Sequence, residues 1–282
     1  MELDGKTAVI TGGASGIGLA TAKQFAAAHV NLVLGDIEEA ALDSVVEELR
    51  NDGAHVIGLR TDVSVEDDVI ALRDAALAEY GAAHVVFNNA GVAAGGAAIG
   101  TPTAIWNWLL SVNLDGVIHG LNAFVPLFLE QNEGHVVNTA SLAGLGGAPG
   151  MGSYCASKFA VVGLSESLFQ ELLLSGKDVG VSVLCPGFVK TRIHESERNM
   201  PNELVSYNED PVARMISEMA STAVNAGIDA ADVAAAVENA VRTNTFWILP
   251  HERSAIRTTE LRLEWMRGGP PMRFDLMGAT KP

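Results

Sequence analysis

The sequence predicts an α/β protein built on a doubly wound parallel sheet of about seven strands, with helices on both faces. Three observations carry this. Short apolar runs recur without polar alternation, longer helical segments separate them, and a glycine-rich turn joins the first run to the first helix. Strands that are apolar throughout are buried on both faces, and right-handed crossovers between parallel strands place helices on each side. A length of 282 residues suits a single domain. The expected division is a core over 1–250, with an excursion at 191–226 inside it, and an extension over 251–282 that belongs to the same domain.

The first strand is expected at 7–10, where Thr7-Ala8-Val9-Ile10 is apolar and rich in β-branched residues, and the first helix at 16–28. A second strand at 31–34 leads to Asp36-Ile37-Glu38-Glu39, which fits a capping box for a helix over 38–50. The third strand, 55–59, is followed by Asp62-Val63, and Ser64 to Asp67 resembles another capping pattern before a helix over 65–80. The fourth strand, 84–87, closes on Asn88-Asn89-Ala90-Gly91, and the next helix is expected at 103–129. The fifth strand, 135–138, precedes Ser141, a glycine-rich loop at 144–152 and a helix over 154–174. A strand at 179–184, a helix at 230–241 and a strand at 246–249 complete the sheet.

Two segments fall outside this rhythm. The excursion at 191–226 opens on a polar stretch with Glu195, Glu197, Asn199, Asn202 and Asn208. Asp210-Pro211 then reads as an N-cap with proline at the first helical position, and Val212, Met215, Ile216 and Met219 share one face. The excursion follows a strand end, where open sheets bind ligands, so it is expected to be a substrate lid; an ordinary surface excursion has the same composition. After Pro250 the chain turns basic: Arg253, Arg257, Arg262, Arg267, Arg273 and Lys281 outnumber Glu252, Glu260, Glu264 and Asp275. A helix over 254–267 could dock on the acidic body of its own or a neighbouring subunit, or be a solvated end.

Bulk composition excludes several classes. A net charge of -16 argues against nucleic acid and anionic membrane surfaces as partners. The charge-free stretch at 85–114 is interrupted by Asn88, Asn89, Gly95, Gly96, Pro102 and Asn107, so it does not read as a spanning helix. The N-terminus is acidic where an export signal is basic, which points to the cytoplasm. Cys155 and Cys185 lack metal-like spacing, and none of the seven histidines forms an HxxxH pair or sits beside a cysteine, so no metal site is expected.

Chemistry concentrates in a few motifs. Thr11-Gly12-Gly13-Ala14-Ser15-Gly16-Ile17-Gly18 lies between strand and helix, where glycines let backbone N–H groups approach a pyrophosphate. Asp36 sits about 20 residues beyond the glycines, where an acid binds the adenosine ribose hydroxyls and repels a 2′-phosphate. Neither Ser15 nor Ile37 is basic, so NAD is favoured over NADP. Asp62-Val63 could contact adenine or serve capping, and the paired asparagines could join strand ends or face the cofactor. Ser141, at a strand's C-terminal end, is placed to bind a substrate oxygen. Tyr154 and Lys158 stand at i and i+4, and Lys158 is the sole formal charge between Gly134 and Ser165. An ammonium beside a phenol would lower its pKa; an amphipathic helix with a snorkelling lysine gives the same pattern.

Together these motifs resemble the short-chain dehydrogenase/reductase family, in its TGxxxGxG and YxxxK branch, over about 3–250. The resemblance implies a Rossmann-like fold and four catalytic residues. Ser141 would polarise the substrate oxygen, Tyr154 exchange the proton, Lys158 lower the Tyr154 pKa and bind the nicotinamide ribose, and Asn113 hold a relay water. The implied cofactor set is Gly12, Ser15, Gly16, Ile17, Gly18, Asp36, Ile37, Asp62, Val63, Asn89, Ala90, Gly91, Tyr154, Lys158, Pro186, Gly187, Val189 and Thr191. The expected substrate pocket draws on Val92, Ser141, Leu142, Leu145, Met151, Phe188, Met215 and Met219. The activity this implies is NAD-dependent interconversion of a secondary alcohol and a ketone, on a hydrophobic and possibly cyclic or aromatic substrate. The stretch from Trp106 through Asn138 is also similar to members acting on benzylic or terpenoid alcohols. An oxoacyl-thioester reductase and a non-catalytic NAD-binding scaffold are the alternatives. The family further implies a homotetramer, or a homodimer, packed through the helices at 103–129 and 154–174.

Overall fold

In the computed structural model, which describes residues 1–209 and 211–273, seven strands form one parallel sheet. They are β1 (Thr7–Thr11), β2 (Asn31–Asp36), β3 (Val56–Arg60), β4 (Val85–Asn88), β5 (Gly134–Thr139), β6 (Val179–Leu184) and β7 (Trp247–Ile248). Their order across the sheet is β3-β2-β1-β4-β5-β6-β7. The order reverses between β1 and β4, so a crevice opens above the C-terminal ends of those strands.

Alternation along each strand sends successive side chains to opposite faces, and both faces are covered. On one side Ala8, Ile10, Leu32 and Leu34 meet α1 (Gly16–Ala27), α2 (Glu39–Asn51) and α8 (Ala230–Thr243) through Phe25, Leu42, Leu49, Val233 and Val237. On the other, Val9, Val33, Val86 and Val136 meet α3 (Glu66–Tyr80), α5 (Gly116–Gln131) and α6 (Gly152–Ser175) through Val69, Leu72, Phe124, Phe128, Leu168 and Leu172. Each fully buried Phe in these layers stabilises the fold by about 1.5–3 kcal/mol.

The helix expected at 103–129 begins as α4 (Thr103–Leu110) and reaches α5 through a π-helical turn at Ser111–Asp115. Among the described residues, the combined helix Thr103–Gln131 is long and apolar enough to cross a membrane by length and composition. Phe124 and Phe128 of this helix are fully buried in the core.

Neither expected capping box forms. The N-caps of α2 and α3 are Glu38 and Val65, and neither side chain caps its helix. Asp36 instead accepts the Glu38 N–H at 3.0 Å, and the Asp68 carboxylate reaches back to the Asp62 N–H at 2.9 Å. The polar excursion is ordered into 3-10 turns at Ile193–Asn199 and Asn202–Glu209 before α7 (Pro211–Asn225); the expected N-cap Asp210 lies outside the described residues.

The basic tail forms α9 (Glu252–Met266), and its contacts with the rest of the chain among the described residues include the following. Ala255 packs beside Leu142, and the Arg262 guanidinium lies 4.8 Å from the Phe159 ring centroid and donates to Leu145 O at 3.4 Å. Arg257 pairs with Glu260 of its own helix at 3.7 Å. Asp275 and Lys281 lie outside the described residues.

Candidate active site

The glycine turn wraps the end of β1 and is held by its neighbours. Thr11 Oγ1 accepts the N–H groups of Asn89 and Ala90 at 3.0 and 3.1 Å, while the Asn89 amide donates to Thr11 O and Gly12 O at 3.0 and 3.3 Å. Gly12 has φ +65°, and a Cβ at Gly18 would fall on Gly12 O, so both positions require glycine. Asp36, at the end of β2, accepts the Ala14 N–H at 3.0 Å and fixes the turn from the far side. A carboxylate has lone pairs beyond the two these amides use, so Asp36 can still receive hydroxyls. The resulting cleft, of about 600 Å³, is lined by Gly12, Ser15, Gly16, Ile17, Asp36, Ile37, Asp62, Val63, Asn89, Ala90, Gly91 and Thr191. Its donors at the α1 N-terminus and its acid at the opposite end suit a dinucleotide.

A second cavity, of about 140 Å³, shares Ile17, Asn89, Gly91, Thr139 and Thr191 with the first and contains Ser141, Tyr154, Lys158, Pro186, Gly187, Phe188 and Val189. Ser141, just beyond β5, accepts the Ala143 N–H at 3.1 Å, donates to Pro186 O at 3.4 Å and hydrogen-bonds Tyr154. Tyr154 and Lys158 lie one turn apart on α6, with Nζ 5.7 Å from the phenol ring centroid. Lys158 is 2% exposed and donates to Thr139 O at 2.8 Å. Among the described residues it pairs with no carboxylate.

Electrostatics differ from the simple expectation. Burial pushes the Tyr154 phenol up to about 12, outweighing the hydrogen bond to Ser141. Burial also draws the Lys158 ammonium down to about 8. Lys158 alone therefore does not bring the phenol into the neutral range, because desolvation of the phenolate is the larger effect. Asn113 is fixed more tightly than expected. Its amide exchanges two hydrogen bonds with the Val92 backbone, at 2.8 and 2.9 Å, and donates to Ser157 Oγ at 3.3 Å. The π-helical turn swings this side chain inward, a frequent device at functional sites.

The profile of the short chain dehydrogenase family matches residues 6–202. The chain belongs to this family. A short-chain dehydrogenase/reductase from Burkholderia phymatum, solved in complex with NAD, is 43% identical and superposes with a TM-score of 0.93, covering 98% of this chain and 99% of that one. The CLA biosynthesis dehydrogenase/reductase of Lactiplantibacillus plantarum is 32% identical over 87% of this chain and 88% of its own length. The 3beta-hydroxysteroid dehydrogenase 2 of Eggerthella lenta is 37% identical over 73% of this chain and 81% of its own.

In this short-chain dehydrogenase the expected substrate residues divide. Ser141, Leu142, Met151 and Phe188 line the smaller cavity, whereas Val92 lies on the larger cleft and Leu145 packs behind the wall with Leu249. Met215 and Met219 face outward, 53% and 48% exposed. The inward face of α7 carries Ala220 and Val224 at the cavity, and Ile216 lies against Gly95 and Gly150. Small residues carry the burial there because the helix approaches backbone closely. Sequence reasoning also missed His194, which lines the cavity, and His251, a fully buried residue whose Nδ1 accepts the Gly187 N–H at 3.0 Å. Neither has a periodic or motif signal. The asparagines join strands and turn together: Asn88 donates to Asn138 at 2.8 Å, and Asn89 holds the glycine turn.

Proposed function

We propose that this oxidoreductase is an NAD-dependent dehydrogenase that interconverts a secondary alcohol and a ketone on a hydrophobic, cyclic or aromatic substrate. The carrying observation is that Ser141, Tyr154 and Lys158 meet in one cavity continuous with a cleft that ends at Asp36. Bound NAD would supply the hydride acceptor and, when oxidised, a positive charge near the phenol. Gly12, Gly16, Ile17 and Gly18 would receive the pyrophosphate, and Asp36 the adenosine ribose. Ser141 orients the substrate oxygen, Tyr154 takes the hydroxyl proton in oxidation and returns it in reduction, and Lys158 holds the nicotinamide ribose. Asn113 keeps the wall at Val92 in place beside them.

Preference for NAD rests on Asp36, whose charge opposes a 2′-phosphate. The apolar lining of Leu142, Met151, Phe188, Ala220 and Val224 supports the substrate class. An apolar cavity of about 150 Å³ holds one benzene ring. At about 140 Å³ the site as closed does not hold a nicotinamide and a substrate ring together, so we read 191–226 as a lid that moves to admit substrate. Among the contacts that hold it closed, Arg198 Nε meets Glu38 Oε1 at 2.7 Å, Asn199 Nδ2 donates to the same oxygen at 3.3 Å, and Ser196 Oγ accepts the Ala93 N–H at 2.9 Å. We read the enzyme as a homotetramer, a reading supported by Leu173 and Leu174 exposed on α6.

The test is a spectrophotometric screen of secondary alcohols with NAD and with NADP, using Tyr154→Phe as control. Turnover with NAD that depends on Tyr154 supports the reading. NAD binding without turnover of any alcohol or ketone refutes it in favour of a scaffold.

A further inference from the structure

We propose that His251 is a positioning residue for the hydride-transfer end of the site: its imidazole fixes the peptide between Pro186 and Gly187, beside which the nicotinamide of bound NAD would lie. The inference rests on NAD as the cofactor and not on the substrate assigned above. His251 is fully buried, follows β7 and stands immediately before α9, where its own carbonyl accepts the Ala255 N–H at 3.0 Å.

The ladder between β6 and β7 explains why a side chain is needed there. The Val183 N–H donates to Phe246 O at 2.7 Å and the Cys185 N–H to Ile248 O at 2.9 Å, a series in which the Gly187 N–H would next meet Pro250 O. By then the chain is turning into α9. The Gly187 N–H goes instead to His251 Nδ1 at 3.0 Å, so the imidazole serves as the last acceptor of the ladder. A ring nitrogen that accepts carries no proton. Burial favours that neutral ring by drawing it below the usual imidazole range, with the Phe188 backbone opposing.

The Gly187 N–H and the Pro186 C=O are two ends of one planar peptide. Its carbonyl accepts the Leu142 N–H at 2.9 Å and the Ser141 hydroxyl at 3.4 Å. His251 thus holds one end of a rigid unit whose other end receives Ser141. Beyond it, Phe188 O accepts the Ile228 N–H at 3.2 Å and the Lys190 N–H donates to Ile228 O at 2.9 Å, which anchors the far side of the segment. Pro186, Gly187 and Phe188 wall the smaller cavity with Tyr154 and Lys158, away from Asp36. Without the imidazole a backbone N–H loses its acceptor, and any rotation that finds another carries Pro186 O away from Ser141.

The experiment titrates the full chain by calorimetry with NADH and with ADP-ribose, which lacks the nicotinamide. His251→Leu removes the acceptor, His251→Asn places an amide oxygen where Nδ1 lies, and His251→Gln places its amide further out, near Nε2. The wild type is expected to bind NADH more tightly than ADP-ribose. His251→Leu should weaken NADH by about tenfold and change ADP-ribose by less than about threefold. His251→Asn should recover most of the loss, and His251→Gln little of it. Equal wild-type affinities for the two ligands overturn the inference; so does an unchanged NADH affinity in His251→Leu, an equal loss on both ligands, or a recovery by Gln that matches Asn. Nitrogen NMR of isotope-labelled wild type reads the bond without any variant. A coupling between His251 Nδ1 and Gly187 N is expected, and a proton on Nδ1 overturns the inference even where His251→Leu fails to fold. None of these readouts needs turnover, so they stand apart from the fate of the substrate reading.

Discussion

Tyr154→Phe deletes one oxygen from the site and leaves the ring and the helix intact. The phenol is held up to about 12 by burial, so ionising it at pH 7 costs on the order of 7 kcal/mol. Lys158 Nζ lies 5.7 Å from the ring centroid. A unit charge at that distance, in an effective dielectric of about 20, contributes about 3 kcal/mol. The cation therefore offsets less than half of the cost, and free phenolate is a negligible species at neutral pH. In the proposed mechanism the neutral phenol can donate its proton directly in reduction, whereas in oxidation it must first release that proton to solvent, a step the positive charge of bound NAD would ease. General acid/base groups contribute about 10²–10⁴ in rate, equivalent to about 3–5.5 kcal/mol of barrier. We expect Tyr154→Phe to lose turnover by that factor in an NADH absorbance assay while NAD affinity changes less than about twofold. Wild-type oxidation should climb as pH rises toward the high phenol value and flatten above about 8, where Lys158 releases its own proton. The variant's residual rate should be flat with pH. Turnover within about threefold of wild type would refute the assignment.

Asp36→Ala removes a carboxylate that accepts two backbone N–H groups. Hydrogen bonds to charged groups are worth about 1.5–3 kcal/mol, so NAD affinity should fall roughly 10–100-fold in calorimetric titration, and NADP affinity far less. Equal wild-type affinities for the two would remove the role given to Asp36. Glu38 is raised by burial, but its bonds to Arg198 and Asn199 more than reverse this and hold it below the usual carboxylate range. The Glu38–Arg198 pair is partly exposed and worth about 1 kcal/mol or less, so Arg198→Ala should speed cofactor release by up to about fivefold in stopped-flow fluorescence. No change would show that the pair does not restrain the lid. His135, buried with Nε2 2.7 Å from Ser182 Oγ, is drawn down to about 3 by burial. Below about 6.5 the unfolded chain takes a proton that the folded chain refuses, so this contribution to stability is lost as pH falls from about 6.5 toward 3. At pH 5 the loss is about 2 kcal/mol, and urea unfolding of His135→Gln should show a pH 7.5-to-5 drop smaller by that amount. An unchanged drop would place the acid sensitivity elsewhere.

The sheet is legible in the sequence because its strands are buried on both faces and so carry no polar alternation to confuse the reading. The glycine turn and Asp36 are legible because their spacing is a backbone requirement: a Cβ at Gly18 has no room, and Asp36 reaches the turn directly. The inward face of α7 is not legible. Met215 and Met219 bring larger apolar side chains than alanine, yet close approach to Gly95 and Gly150 favours the face bearing Ala213, Ile216, Ala220 and Val224. The π-helical turn at Asn113 is equally hidden, since adding one residue to a turn leaves no mark in composition. His194 and His251 sit among polar or irregular neighbours, where no period points to a side chain's direction.

Lys158 was conspicuous as a lone cation in a neutral segment, and the fold explains why it stays alone. Its Nζ reaches across from α6 to the carbonyl of Thr139 at the end of β5, so the backbone of the sheet supplies its described partner. A carboxylate in that position would hold the ammonium charged more firmly but neutralise its field at the phenol and at a ribose hydroxyl. A carbonyl dipole satisfies one N–H and leaves the charge uncancelled. The consequence is a lysine drawn down to about 8, still charged at neutral pH but near the point of losing that charge. Burial thus sets both members of the pair against ionisation. The same desolvation that makes the phenolate costly strengthens every charge brought near it, and a site built this way responds sharply to a bound cation. That response, rather than a standing phenolate, is what the spacing of Tyr154 and Lys158 provides.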